Sequence, residues 1–191
     1  MSVEVITPPV RLFDISDFGT LKSHVEVEMP EVELDELILG YARAAQSKAE
    51  SYMRQRILTQ TLRVYGDGFE RLSLFPGPVK SVELVQYLNA QNVWADVPAE
   101  TYRAVTSACP GYLALAPGSS WPTPSAGPQN VRATIRVGMA DSRGDVDEAI
   151  LQAIQIMTAF FLENRGDKVK VSENGMHPGA ELLLSDHRVW F

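Results

Sequence analysis

The chain has 191 residues, of which 45% are hydrophobic and 21% are charged, so the composition excludes wholesale disorder and fits one domain or one domain with a sizeable insertion. Its formal net charge of −7, from 24 acidic and 17 basic residues, argues against a protein that grips nucleic acid by neutralising phosphates. The single cysteine, Cys109, excludes an intramolecular disulfide and gives no support to a thiolate zinc site, and we expect synthesis in a reducing compartment.

The first thirty residues predict an extended lead-in followed by a short helix. Pro8 and Pro9 disfavour helix ahead of them, and the segment lacks the basic-then-apolar pattern of a signal peptide. Ser16 or Asp17 can cap a short helix that reaches His24. No apolar stretch of the chain approaches the roughly 20 residues of a membrane span, so no membrane partner is predicted.

The main predicted element is a long amphipathic helix over residues 33–57. Its apolar stripe follows helical spacing and consists of Leu34, Leu37, Ile38, Tyr41, Ala42, Ala45, Ala49, Tyr52, Met53 and Ile57. The opposite face carries Glu36, Arg43, Lys48, Glu50 and Arg54. A covering layer is predicted at residues 147–164, a helix that is apolar around most of its girth. Asp145 and Glu148 resemble a capping box at its start.

Between these helices the periodicity changes to that of short strands. The predicted strands cover residues 60–65, 72–75, 79–88, 93–94, 102–105, 112–115 and 131–137. Residues 110–128 form a loop rich in Pro, Gly and Ser, which Trp121 can anchor against the sheet. Several short strands without intervening helices predict a small antiparallel sheet or sandwich.

The whole pattern predicts an α+β fold. A small helical core comprises residues 1–57 and 147–166, an antiparallel β subdomain at 58–146 is inserted into it, and an extended C-terminal tail covers 167–191. The tail ends on an apolar group that must pack on its own core or bind a partner. We predict a partner-binding tail made of Leu182, Leu183, Leu184, His187, Arg188, Val189, Trp190 and Phe191.

No pattern indicates a metal, cofactor or catalytic site. The three histidines, His24, His177 and His187, lack ligand partners at useful spacing. The acidic group of Asp141, Asp145, Asp147 and Glu148 lacks the glycine and the distal glutamate of a calcium loop, and helix capping explains part of it. No general base lies near Cys109 in the sequence, so a small apolar role suits it better than that of a nucleophile.

Three arginines, Arg63, Arg132 and Arg136, are predicted to share one sheet face, which suits a solvated surface better than a nucleic-acid interface.

Since no catalytic pattern is found and the C-terminal tail is apolar, an interaction protein is the leading class. One alternative is a small-molecule-binding or hydrolytic enzyme with its site around Trp94, Tyr102 and Trp121 in the β insertion. Another is a chaperone or regulator that shares the helical core.

The ordered set of features resembles the head–tail connector (adaptor) proteins of long-tailed bacteriophages, including the adaptors of phage-like gene transfer agents. The matching stretches span nearly the whole chain and are residues 15–27, 44–45, 49–52, 57–62, 72–82, 87, 102, 121–122, 137–138, 149–154, 164–165, 183–184 and 187–190. Glu26 stands where the family often has Arg, and Asp147 stands near where it often has Pro. Since Asp caps a helix start as well as Pro opens one, the second departure leaves the expected fold unchanged.

The resemblance implies a structural virion protein rather than an enzyme, without cofactors. It implies a homo-oligomeric ring, commonly of about twelve copies, that sits beneath the portal and extends the channel for double-stranded DNA. The C-terminal tail would engage the portal, and a stopper or tail terminator protein would follow on the tail side. The charged face of the long helix becomes a predicted subunit contact. The expected location is the neck of the particle, after synthesis in the bacterial host cytoplasm.

Overall fold

The computed structural model describes residues 2–13, 32–164 and 172–190. Within these ranges the chain forms two compact units. A β unit contains residues 2–10 and 56–141, and a helical unit contains 11–13, 32–55, 142–164 and 172–190. The short helix predicted between Ser16 and His24 lies outside the described residues.

The β unit contains two antiparallel sheets. Its strands are β1 (Ser2–Thr7), β2 (Gln60–Gly66), β3 (Ser73–Leu74), β4 (Val79–Leu88), β5 (Trp94–Asp96), β6 (Tyr102–Val105), β7 (Gly111–Leu115) and β8 (Val131–Val137). The larger sheet has the order β1-β2-β8-β4-β5, and the smaller sheet has the order β3-β7-β6. The predicted antiparallel β structure is confirmed. β1 pairs with β2 and so belongs to this unit, although its residues were predicted to lie in the helical core.

Strict alternation explains why these segments form strands. Every second residue of β8, from Val131 to Val137, is buried, and the residues between them point to the other face. Both sheets contribute to one hydrophobic core, with Leu62 and Ile135 from the larger sheet and Leu74 and Leu113 from the smaller.

The proline-rich loop between β7 and β8 is held by Trp121. The indole stacks on Phe69 with ring centroids 4.3 Å apart and an interplanar angle of 6°. The Tyr102 ring lies 6.3 Å from it at 21°. The predicted anchoring role of Trp121 against the sheet is confirmed, since these rings pack on the core of the β unit.

The helical unit contains α1 (Val32–Met53), α2 (Glu148–Glu163) and α3 (Pro178–Ser185). α1 ends at Met53 rather than at Ile57, because Arg54 adopts a φ of 59°, a left-handed conformation that stops a helix. At the start of α2 the N-cap is Asp147, whose carboxylate accepts a hydrogen bond from the Ala149 amide at 2.8 Å. The predicted capping role of Asp145 is therefore wrong.

The apolar stripe of α1 forms one side of the helical core. Ile38, Ala45, Ala49 and Met53 have no exposed surface. α2 contributes its own buried residues, and the two helices meet at one end where the rings of Tyr41 and Phe161 lie 6.4 Å apart. Small alanines along α1 allow close packing of the neighbouring helix.

An extended tail over residues 167–191 was predicted, but residues 178–185 form α3. The sequence contains the local reasons. His177 caps the helix by accepting the Gly179 amide on Nδ1 at 3.2 Å, and Pro178 stands at the first helical turn, where a missing amide costs nothing. Residues 180–184, AELLL, are strong helix formers. Residues 165–171 and 191 lie outside the described part.

Candidate interaction surfaces

The apolar residues of the predicted partner-binding tail divide into buried and exposed groups. Leu184 is completely buried in the helical unit, whereas Leu182 is 75% exposed on the other side of α3. Leu183 is half-buried. A helix period of 3.6 residues separates Leu182 and Leu184 by about 200° around the axis, so they cannot serve the same surface. α3 therefore packs through Leu184 and presents Leu182 to the outside.

The residues after α3 bind back to the end of α1. The Val189 amide donates to the Met53 carbonyl at 3.1 Å. The Gln55 side-chain amide donates to the His187 carbonyl at 2.6 Å. Because the chain leaves the helical conformation after Met53, that carbonyl has no partner within its own helix and can accept a hydrogen bond from the C-terminal segment. Residues 187–189 are thus an ordered part of the helical unit.

Arg188 supports the exposed Trp190. The guanidinium carbon lies 4.0 Å from the centre of the Trp190 ring and 4.7 Å from the centre of the Tyr52 ring. Both distances are within the range of a cation–π contact. Trp190 keeps 72% of its surface exposed in this position. Phe191 lies outside the described residues.

A neighbouring carboxylate belongs to the same cluster. A hydrogen bond from Ser172 is the main reason that the pKa of Glu181 lies below its ordinary value. Desolvation, the second-largest effect, opposes this shift, and the Asn174 amide and the positive charge of Arg188 lower the pKa further. Glu181 therefore carries its charge at neutral pH and faces the cation that supports Trp190.

The charged residues predicted as a subunit contact on α1 do not all share one exposed face. Glu36 and Arg43 are exposed, while Lys48 and Arg54 are half-buried. Glu50 is only 8% exposed and accepts a hydrogen bond from the Gln46 side chain at 3.4 Å. Of the five predicted contact residues, only Glu36 and Arg43 are therefore exposed.

The outer face of the larger sheet carries the three arginines. Strand register confirms that they share one face, because Thr61 lies opposite Arg136, Arg63 opposite Thr134, and Tyr65 opposite Arg132.

Each of these arginines has a partner within the β unit. Arg63 lies 3.4 Å from a Glu4 carboxylate oxygen, and Arg136 lies 3.5 Å from Asp141. Arg132 donates to the Gln86 side chain at 2.8 Å, and its guanidinium carbon lies 3.9 Å from the centre of the Trp94 ring. Cations that already have acidic or aromatic partners attract phosphate weakly.

The aromatic residues considered for an enzyme site fall into two groups. Trp94 contacts Tyr65, at 6.3 Å between ring centroids, and Arg132 on the outer sheet face. Tyr102 and Trp121 instead stack with each other. A groove of about 340 Å³ lies beside this stack, lined by residues 67–70 and 121–124. Its Asp67 carboxylate already accepts the Gln129 amide at 2.7 Å, so it serves to hold the loop.

Cys109 and the two described histidines, His177 and His187, are the residues considered for nucleophilic or metal chemistry. Partial burial of the Cys109 thiol raises its pKa, which disfavours the thiolate that a nucleophile requires. Among the described residues, no group of three or more His, Cys, Asp or Glu side chains could hold a metal ion. His177 caps α3, and His187 lies 3.9 Å from Asp147. Within the same ranges no helix has the length and apolar character needed to cross a membrane.

Three solved structures contain a chain with the same fold. One is the neck of an empty gene transfer agent (GTA) particle with C6 symmetry, at 20% sequence identity and a TM-score of 0.75. Another is the virion of a native GTA particle, at 19% and 0.74, and a third is the neck of a native GTA particle with C12 symmetry, at 19% and 0.75. Each alignment covers 100% of this chain and 97% of the other. No family model and no curated protein matches the chain.

Proposed function

We propose that the protein is a structural component of the neck of a phage-like particle, where it acts as a head–tail connector (adaptor). The observation that carries this proposal is the fold likeness to chains in GTA neck structures, which extends over 100% of this chain and 97% of the other. A match of that extent includes the β unit, the helical unit and the C-terminal segment together. It supports a common architecture rather than one shared module.

The proposed assembly is a ring of twelve copies beneath the portal. The C6 and C12 symmetry of the similar neck structures supports a cyclic arrangement. A ring needs two different complementary patches on every subunit, because identical patches would close a dimer. The exposed residues Glu36 and Arg43 of α1 supply one such patch, with Lys48 and Arg54 at its border.

The C-terminal segment is the proposed contact with the portal. Leu182 and Trp190 are the most exposed large apolar side chains of the described residues. Both stand on backbone that is already ordered in the helical unit, so binding costs little additional conformational entropy. An exposed tryptophan held by a cation is well suited to fill an apolar pocket of a partner. The stopper or tail terminator protein would bind on the opposite side of the ring.

The ring would extend the channel for double-stranded DNA without binding a particular sequence. With a net charge of −7 per copy, a closed ring concentrates negative charge around the channel, and this charge repels phosphates and favours passage. A structural role of this kind requires neither catalysis nor a cofactor. The place of action is the particle neck, after synthesis in the host cytoplasm.

The test of the portal contact changes exposed residues only. Leu182→Ser with Trp190→Ala should leave the subunit folded and soluble but reduce its incorporation into portal-containing particles in an assembly assay. Leu115→Ser, at a residue that is 41% exposed on β7, is the matched control and should be incorporated normally. Normal head–tail joining by the double variant would contradict the proposed contact.

A further inference from the structure

Among the described residues, β1 forms one of the two edges of the larger sheet. β1 pairs with β2 on one side, and it is the last strand of the sheet on the other. Three of its side chains are unusually exposed for apolar residues, Val3 at 39%, Val5 at 54% and Ile6 at 40%. A strand edge presents unpaired amide and carbonyl groups that can accept another strand.

The register explains why these valines are exposed. Val3 lies opposite Val64, and Val5 lies opposite Leu62. Val64 and Leu62 are completely buried, so the two valines extend the core-facing row of the sheet past the limit of the core. The apolar surface of the β unit is therefore left incomplete at this edge.

β1 also lacks most of the features that protect natural strand edges. Within Ser2–Thr7 there is no proline and no lysine. The only charged residue is Glu4, and its carboxylate is already engaged by Tyr65 at 2.8 Å and Arg63 at 3.4 Å. A register shift between Val5 and Thr7 leaves Ser2–Val5 as the regular part of the edge.

The opposite edge of the same sheet is open as well. It is formed by β5, Trp94–Asp96, and it is preceded by Val93, which is 58% exposed. Two different edges of one sheet can join head to tail from copy to copy. Pairing β1 with β1 would instead close a dimer and stop there.

We propose that β1 of one copy pairs with β5 of the next, so that the five-stranded sheet continues from subunit to subunit around the ring. The occupant of the β1 edge is thus a second copy of this chain, and Val93 covers the exposed valines of β1. This inference rests on the proposed ring assembly. It supplies both complementary patches of the ring interface, the β1 edge and the β5 edge, and the α1 patch is an additional contact between neighbouring copies.

A cross-linking experiment on the full chain tests the pairing. In a Cys109→Ala background, the double variant Val5→Cys with Val93→Cys is treated with a short bis-maleimide, both as isolated protein at high concentration and in assembled particles. We expect a ladder of covalent multimers above the dimer. Either cysteine alone should give no ladder, and a strong dimer from Val5→Cys alone would indicate β1–β1 pairing and overturn the proposal.

An edge-blocking variant provides the matched comparison. Val5→Lys, made without the cross-linking cysteines, places a charge on the open edge and should abolish the oligomers that native mass spectrometry detects for the unchanged protein. Val10→Lys changes a valine that is 62% exposed but lies after β1, so oligomers should persist. Thermal unfolding of both variants checks that each remains folded. Oligomers that survive Val5→Lys would overturn the inference.

The results separate the inference from the proposed function. Incorporation into particle necks without a ladder overturns the β1–β5 pairing and leaves the neck role intact. A ladder with isolated protein but no incorporation supports the pairing and contradicts the neck role. Neither ladder nor incorporation contradicts both.

Discussion

Because Leu184 is buried and Leu182 is exposed, the same substitution should change the free energy of unfolding by different amounts at the two positions. Leu184 has no exposed surface, so Leu184→Ala removes buried carbon atoms and leaves a cavity in the helical unit. Buried leucine-to-alanine changes cost about 2–5 kcal/mol, and the short α3 can relax, so we expect about 2–3 kcal/mol. At 2 kcal/mol the folded-to-unfolded ratio of this unit falls roughly 30-fold.

Leu182→Ala is the matched control, since it is the same change two residues away in the same helix. With 75% of its surface exposed, Leu182 should contribute less than about 0.5 kcal/mol to the free energy of unfolding. The assay is urea denaturation followed by far-UV circular dichroism, because the described α-helices all lie in the helical unit. Equal midpoints for the two variants, or a larger loss for Leu182→Ala, would refute the assignment of α3 as a packed helix.

The burial of Leu184 also affects how a truncation of the C-terminal segment is interpreted. If the whole C-terminal segment served only to bind a partner, deleting residues 182–191 would leave a folded subunit that fails to join portal-containing particles. The deletion would remove Leu184 and the Val189 bond to the Met53 carbonyl, and both are parts of the helical unit. A failure of the truncated chain to assemble would then report lost stability as well as lost contact. The point variants at Leu182 and Trp190 avoid this confusion.

Two further predictions concern the β unit. Gly138→Ala should destabilise it by more than about 2 kcal/mol in chemical denaturation, because the new Cβ would lie 2.6 Å from the Thr59 backbone at a φ of +134°. Gly68→Ala, at a φ of +94° with open space around it, carries backbone strain alone, about 1–3 kcal/mol, and should cost less than Gly138→Ala; equal losses would contradict the close approach. A hydrogen bond from Lys80, and next one from Thr59, lowers the pKa of Asp141 in the folded chain. The ionised carboxylate therefore stabilises the fold at a pH above its unfolded-state pKa, and this stabilisation is lost as pH falls through the folded-state pKa. Thermal unfolding against pH should therefore show less loss on acidification for Asp141→Asn than for the unchanged protein, and identical profiles would count against it.

Much of the architecture follows from local periodicity in the sequence. The stripe of α1 and the alternation of β8 are visible without any structure, because a buried face imposes a period of 3.6 on a helix and of 2 on a strand. The same alternation placed Arg132 and Arg136 on one face before their partners were known. Because the sequence has no recognisable catalytic pattern, an interaction protein was predicted by elimination.

The boundaries of elements and the exposure of single residues depended on contacts between distant parts of the chain. Glu50 has the polarity of a surface residue, yet it is buried, and no local pattern distinguishes it from Arg43. α1 stops at Met53 rather than at Ile57, where the carbonyl of Met53 meets the Val189 amide from the other end of the chain. β1 became a strand because β2, more than fifty residues away, offered it a pairing edge.

The C-terminal segment shows most clearly what the sequence determines and what only the tertiary structure determines. From the sequence alone, a run of leucines followed by Val-Trp-Phe indicated that an apolar surface had to be buried somewhere. Only the tertiary structure decided which residues are buried within the subunit and which remain exposed. Leu184 faces the helical core, and Leu182 and Trp190 face outward, because burial is set by the arrangement of neighbouring helices around α3 and not by the residue types themselves.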